Sequence, residues 1–205
     1  MSNERLERVY GATDPGAQRH AYDQWADQYE RDLCAMGYRL PAMLAAVFAR
    51  FVPLDTGAIL DAGCGTGMQA EALHAVGYRG FVGIDLSPGM LGVAQRKGLY
   101  TELQVMALGQ PLAFDDNRFG AVLSTGAITP GHAPPESFDE LIRVCVSGGF
   151  LVFSLRDDAG QDRAYLDALP ARDHLWRAVF RTPTFQTMPY GEPEIRNRVY
   201  VYQKH

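Results

Sequence analysis

The chain has 205 residues, of which 47% are hydrophobic and 21% charged, with a formal net charge of −5. That composition suits one ordinary core and argues against a dedicated nucleic-acid binder, which needs a basic stripe. The three cysteines, Cys34, Cys64 and Cys145, are widely spaced, which excludes a disulfide framework or a zinc spacing and suits a reducing cytoplasm. No run approaches the roughly 18 apolar residues of a membrane helix. The opening MSNERLERVYGATDP is charged and polar from the start, unlike a signal peptide. A cytoplasmic protein with no membrane and no nucleic-acid partner is expected, as a monomer or homodimer.

Residues 1–17 read as a loosely tied arm ending in the turn signal Asp14-Pro15-Gly16. From 18 to 35 the pattern becomes helical, with Ala21, Tyr22, Trp25, Ala26, Tyr29 and Leu33 at spacings of three and four. Pro41 suits the first turn of a second helix that runs to about residue 51. Strand and helix signals then alternate. Strands are predicted over 58–62, 81–86, 99–106, 119–125 and 150–155, and helices over 67–76, 88–97 and 135–145. Ser87 and Pro88 supply an N-cap and first helical position. This rhythm means parallel βαβ units and a doubly wound sheet. Residues 177–186 and 195–203 are both strand-like and directly connected, which favours an antiparallel hairpin. The prediction is an α/β fold: a mostly parallel, seven-stranded sheet with one antiparallel strand near the C-terminus. Residues 1–53 form a helical cap over a core of 54–205, within a single domain.

The stretch ILDAGCGTGMQA at 59–70 places a glycine loop between a strand and a helix, which puts a ligand at the carboxyl edge of the sheet. It departs from the dinucleotide pattern G-x-G-x-x-G. The third glycine, Gly67, comes one residue early, and Met68 holds its place. Asp61 at the strand end would repel a pyrophosphate and attract an ammonium. Asp85 ends the next strand, and its two carboxylate oxygens match the adjacent hydroxyls of an adenosine ribose. An unphosphorylated nucleoside joined to an amino acid satisfies both acids, and S-adenosylmethionine (SAM) is such a molecule.

With DAGCGTG followed by GIDLSPGM, the chain resembles the class I SAM-dependent methyltransferases. YDQWA, SPGML, and GLY followed by ALGQ are similar to the Williams–Beuren-region methyltransferase-like family. The resemblance runs from about Tyr10 to Lys204. It implies a Rossmann-like fold, SAM as cofactor with S-adenosylhomocysteine (SAH) as product, and methyl transfer to a small-molecule acceptor by in-line displacement in a closed pocket. Two other readings stay open on the residues: a SAM-binding regulatory module without catalysis, and a nicotinamide-dependent oxidoreductase, which Met68 and Asp61 count against.

On this reading Gly63, Cys64, Gly65 and Gly67 approach the methionine half of the cofactor, Asp61 orients its ammonium, and Asp85 holds the ribose. Leu86 and Met90 pack on the adenine face or simply in the core. Met106, Ala107 and Leu108 flank the ring without the acid that many relatives carry there. Ser124 ends the fourth strand beside the cofactor. By resemblance, Tyr22 and Tyr29 cap the pocket, with cation–π attraction to a sulfonium, while Trp25 is core. LSTGAITPGH at 123–132 lacks the Asn or Asp followed by Pro-Pro and an aromatic residue of adenine and glutamine amino-methyltransferases, which counts against methylation of base or amide nitrogen. His132 is the candidate general base, with exposed loop histidine as the alternative. Tyr38, Arg39, Arg156 and Tyr190 are candidate substrate contacts. No metal site is expected.

Overall fold

The structure is a computed structural model and describes residues 2–11, 14–160 and 162–205. Strand β1 (Ile59–Ala62) is buried along its whole length, as expected of a parallel strand covered on both faces. It pairs in parallel with β2 (Phe81–Asp85) on one side and β4 (Phe119–Ser124) on the other. Beyond β2 lies β3 (Tyr100–Val105), and beyond β4 lies β5 (Cys145–Arg156), both parallel. Three strands follow: β6 (Trp176–Arg181), β7 (Phe185–Met188) and β8 (Glu192–Lys204). The order is β3-β2-β1-β4-β5-β8-β6, with β7 also paired to β8. Only β8 runs against the rest. The strand order reverses between β1 and β4, where open α/β sheets bind ligands.

Among the described residues the sheet has eight strands, seven along its main path and β7 beside β8. Residues 177–186 form two strands rather than one. Pro183 has no backbone N–H and interrupts the ladder. The 13-residue β8 is long enough to pair both pieces: β6 over Tyr200–Lys204 and β7 over Glu192–Asn197.

The helices are α1 (Ser2–Tyr10), α2 (Pro15–Ala35), α3 (Leu40–Phe51), α4 (Met68–Ala75), α5 (Pro88–Arg96), α6 (Ser137–Val144) and α7 (Arg163–Asp167). One face of the sheet packs Phe119, Phe138, Phe153 and Trp176. The other packs Phe48, Leu73, Tyr78 and Phe81. The expected arm at 1–17 is instead largely helical, although Met1, Thr13 and Ala12 lie outside the described residues. Leu6 and Val9 are buried against Trp25, Leu33, Met188 and Ile195. The three-residue spacing from Leu6 to Val9 is too short a pattern to show a helix without its partner. Asp14 begins α2 earlier than predicted, accepting hydrogen bonds from the Gly16 and Ala17 amides at 2.8 and 2.9 Å, as an N-cap does.

Helix α2 is fastened to α5 along one stripe. Asp23 Oδ1 accepts from Ser87 Oγ (2.6 Å) and the Gly89 amide (2.8 Å). Asp27 and Glu30, on the same face, pair with Arg96 and Lys97, each at 2.7 Å. Gly89 permits the approach: a Cβ there would lie 2.9 Å from Asp23 Cα. The exposed Arg96–Asp27 pair adds little by itself, whereas Asp23 caps the Gly89 amide at a helix N-terminus. No single helix among the described residues is long and apolar enough to cross a membrane, and α2 with α3 qualifies only as a pair bent by 81°.

Candidate active site

The carboxyl ends of β1 to β4 converge on one edge, and α2 lies across them. Between them they enclose about 950 Å³, mouth included. Gly63, Cys64, Gly65, Asp85, Leu86 and Met90 line this chamber, with Met106, Ala107 and Leu108 opposite and Tyr22 and Tyr29 above. All of these are residues singled out from the sequence.

The three loop glycines turn out to serve different ends. All have positive φ: 76° at Gly63, 53° at Gly65 and 85° at Gly67. A Cβ on Gly63 would meet Ala127 Cβ at 2.5 Å, and one on Gly67 would meet the Tyr100 ring at 3.0 Å. Only Gly65 has open space where its side chain would be. Room for a ligand's close approach is therefore left at Gly65, while Gly63 makes room for the loop after β4. Gly67 does not line the chamber but caps α4. Gly63→Ala is expected to cost about 1–3 kcal/mol and lower Tm by roughly 5 °C. Gly65→Ala should lower it less and weaken SAM binding more. Thermal melts with and without SAH measure both.

Asp85 holds the loop and faces the chamber. Its Oδ2 accepts from the Gly65 amide at 2.8 Å and its Oδ1 from the Ser87 amide at 2.9 Å. Burial raises its carboxyl above the usual range, and the Ser87, Gly65 and Leu86 amides pull it back down. An ionised carboxylate has about four acceptor positions, so lone pairs remain for two ribose hydroxyls.

Asp61 and Ser124, expected at the cofactor, stand one layer behind it and do not line the chamber. Ser124 Oγ donates to the Ala62 carbonyl at 2.9 Å, tying β4 to β1. Asp61 is fully buried. Its Oδ2 accepts from the Tyr100 hydroxyl at 2.7 Å, while Oδ1 is buried without a partner. Desolvation pushes the Asp61 carboxyl up to about 7, against the Tyr100 hydrogen bond and helped by the nearby Asp85 charge.

A second chamber of about 620 Å³, including its opening, lies behind the first. The two share Tyr22, Tyr29, Tyr38, Gly126 and His132. The Tyr22 hydroxyl lies 2.7 Å from His132 Nε2, and His132 Nδ1 is buried without a partner. Burial lowers the His132 imidazole below its ordinary range, with the Pro130 carbonyl opposing. Burial also raises the phenols of Tyr22, Tyr29 and Tyr38, so all three are neutral. Gln18 Nε2 donates to the Gly131 carbonyl at 2.5 Å, so α2 is pinned at two points to the loop that carries His132. Trp25 is buried, as expected, with its Nε1 donating to Asp32 at 2.9 Å. Its ring also reaches the second chamber.

The four candidate substrate contacts separate. Tyr38 lines both chambers and Arg156 the second. Arg39 and Tyr190 line neither. The Arg39 amide donates to the Thr187 carbonyl and the Tyr190 amide to the Met36 carbonyl, which seats the 187–193 turn on the end of α2. The Tyr190 ring is left 80% exposed over Gly37. From that turn Thr187 and Met188 reach the chamber instead. Sequence reasoning missed Tyr10, Thr125 and Thr129. Tyr10 fell in the supposed arm, and threonines in a loop carry no signal until the loop is folded.

No group of His, Cys, Asp and Glu among the described residues forms a metal site. Residues 60–153 match the methyltransferase domain model. The chain is 36% identical over 170 residues to human methyltransferase-like protein 27, spanning 82% of this chain and 69% of that protein. It is also 36% identical over 70 residues to the 18S rRNA (guanine(1575)-N(7))-methyltransferase of Saccharomyces cerevisiae, covering 34% of this chain and 26% of that one. A SAM-dependent methyltransferase from Thermotoga maritima, described as a possible histamine N-methyltransferase, shares the fold with a TM-score of 0.69. It is 17% identical and covers 91% of this chain and 99% of its own. The glycine loop with Asp85 beneath it, the reversal of strand order and these relatives agree, and the chain belongs to the class I SAM-dependent methyltransferases.

Proposed function

We propose that this methyltransferase acts on a small molecule held in the second chamber, with Tyr22 and His132 removing the acceptor's proton. The observation that supports it is the shared wall: a chamber roofed by the N-terminal helices adjoins the cofactor chamber through Tyr22, Tyr38, Gly126 and His132. The helical cap (1–53) and the core (54–205) thus work as one unit, which we place in the cytoplasm.

The residues present fit SAM. Asp85 keeps acceptor positions for the ribose, Leu86, Met90, Met106 and Leu108 offer apolar surface to adenine, and Gly65 admits close approach. When bound, SAM supplies a methyl group on a sulfonium and leaves as a neutral thioether that needs no acid. The chain's tasks are therefore alignment, exclusion of water and removal of one proton. With the Tyr22 hydroxyl donating to Nε2, the ring proton of His132 sits on Nδ1. As Tyr22 takes the acceptor's proton it passes its own to Nε2, so the phenol never stands as a phenolate and the charge ends on the imidazole. Incubation of the protein with SAM and a panel of small hydroxyl and amine compounds, with RNA in parallel, tests the reading through SAH release. Turnover with RNA alone would overturn it.

Asp61 is assigned to the cofactor's ammonium at one remove, through its unpartnered Oδ1. A carboxyl that titrates near 7 in the free chain is driven to ionise by an approaching cation. SAM binding at pH 7 is therefore expected to release a fraction of a proton, and its affinity to rise as pH increases through about 7. Calorimetry in two buffers of different ionisation enthalpy reads the proton directly. Its persistence in Asp61→Asn would remove Asp61 from the site.

A further inference from the structure

We infer that the acceptor of this enzyme is an uncharged aromatic hydroxyl compound, recognised by a ring-lined chamber that offers no unpaired charge. The inference rests on the small-molecule reading above and names the substrate class of that site.

Six rings face the second chamber: Tyr10, Tyr22, Trp25, Tyr29, Tyr38 and His132. They meet one another at steep angles, as edge-to-face pairs do. Trp25 and Tyr29 lie 4.8 Å apart at 75°, Tyr22 and Tyr29 6.3 Å apart at 66°, and Tyr10 and His132 5.8 Å apart at 72°. A further ring entering the space finds the same edges and faces. Tyr10 is 44% exposed and forms the lip.

Charge is nearly absent. Among the described lining residues only Arg156 bears a formal charge. Its guanidinium is taken: Nη2 and Nε donate to the two oxygens of Asp158, at 2.7 and 3.2 Å. Burial raises the Tyr10 phenol, with Arg156 opposing and Glu192 and Asp158 adding to the rise. A carboxylate acceptor would lose its hydration without gaining an uncompensated cation. An ammonium would lie beside the positively charged cofactor, and its nitrogen would have no lone pair for attack. A neutral hydroxyl has neither difficulty.

Polar recognition is left to two buried atoms with no partner, Thr129 Oγ1 and His132 Nδ1. They lie on the same loop as the wall shared with the cofactor. A hydroxyl, which both donates and accepts, suits such a pair and the adjoining Tyr22. In the reaction the acceptor O–H bond breaks, its proton moves to Tyr22 as the Tyr22 proton moves to His132, and the acceptor oxygen forms the new bond to the methyl carbon as the sulfur–carbon bond breaks.

The test is calorimetric titration of the protein–SAH complex with three probes of one shape: 2-naphthol, 2-naphthoate and 2-naphthylmethylamine, at pH 7.5. The expected result is saturable binding of 2-naphthol at least tenfold tighter than either charged probe. A smaller preference, or tighter binding of a charged probe, overturns the substrate class while leaving the small-molecule reading in place. Failure of all three probes while SAH binds overturns both. Asp158→Asn, which frees the Arg156 charge, should raise affinity for 2-naphthoate at least fivefold, and no gain would overturn the role given to the ion pair. If that variant loses SAH binding, the wild-type comparison decides.

Discussion

Asp85→Ala is expected to weaken SAM binding by at least a hundredfold. Two ribose hydroxyls donating to one carboxylate make charge-assisted hydrogen bonds of about 1.5–3 kcal/mol each, and together these correspond to roughly two to four decades in affinity. A second loss adds to the first. The Gly65 and Ser87 amides, which donate to Asp85 at 2.8 and 2.9 Å, lose their acceptors, so the loop that approaches the cofactor is also released. Asp85→Asn separates the two effects. Its one remaining carbonyl oxygen accepts from a single amide, and its NH2 faces the ribose as a donor. Calorimetry should place Asp85→Asn between the wild type and Asp85→Ala. Affinity within fivefold of wild type in Asp85→Ala would mean that the cofactor lies elsewhere.

His132→Ala and Tyr22→Phe should each slow turnover by about a hundredfold, at the lower end of what a positioned base contributes, while SAM affinity changes less than threefold. Tyr22→Phe is the sharper test. It keeps the ring that separates the chambers and removes only the hydroxyl 2.7 Å from Nε2. If turnover survives Tyr22→Phe but not His132→Ala, the histidine takes the proton directly. The pH profile adds a sign. Burial lowers the His132 imidazole, so the base form is complete at neutral pH. Activity should then rise along an acid limb below about 6.5 and stay flat above it, and His132→Ala should abolish that limb. Stability follows the same group. A histidine held neutral in the folded chain contributes fully above its unfolded pKa of about 6.5, and the contribution is lost as pH falls through the lower folded value. Thermal melts between pH 5 and 7.5 should show that loss in the wild type and less of it in His132→Ala.

The central strands β1, β2 and β4 were legible because they are short, buried apolar runs. Strand β5 instead begins at Cys145, five residues before the predicted start, because its pairing with β4 draws the segment through Gly148 and Gly149 into the sheet. The placing of Asp85 beside the glycine loop, at the ends of neighbouring strands, was as legible as the central strands. The C-terminal strands were only half legible. Alternation marked Ile195 to Gln203 as a strand, but Pro183 divides its partner, and the division matters only because β8 is long enough to pair both pieces. Helix α1 was illegible for a different reason. Leu6 and Val9 gain nothing from helicity until Trp25, Met188 and Ile195 are there to cover them.

Sequence alone thus determined the family and with it the cofactor, because the glycine loop and Asp85 end two strands of one βαβ unit, whose parallel pairing sets them side by side. Only the tertiary structure decided what lines the second chamber. Tyr10, Tyr22, Thr129, His132, Arg156 and Asn197 come from α1, α2, the loop after β4, β5 and β8. No spacing along the chain relates them. Their meeting depends on α2 being capped onto α5 by Asp23 and pinned to the histidine loop by Gln18 and Tyr22. The charge balance of the chamber depends on Arg156 finding Asp158 rather than an incoming acid. These are long-range contacts between side chains, and they exist only once the sheet has brought its edges and ends together.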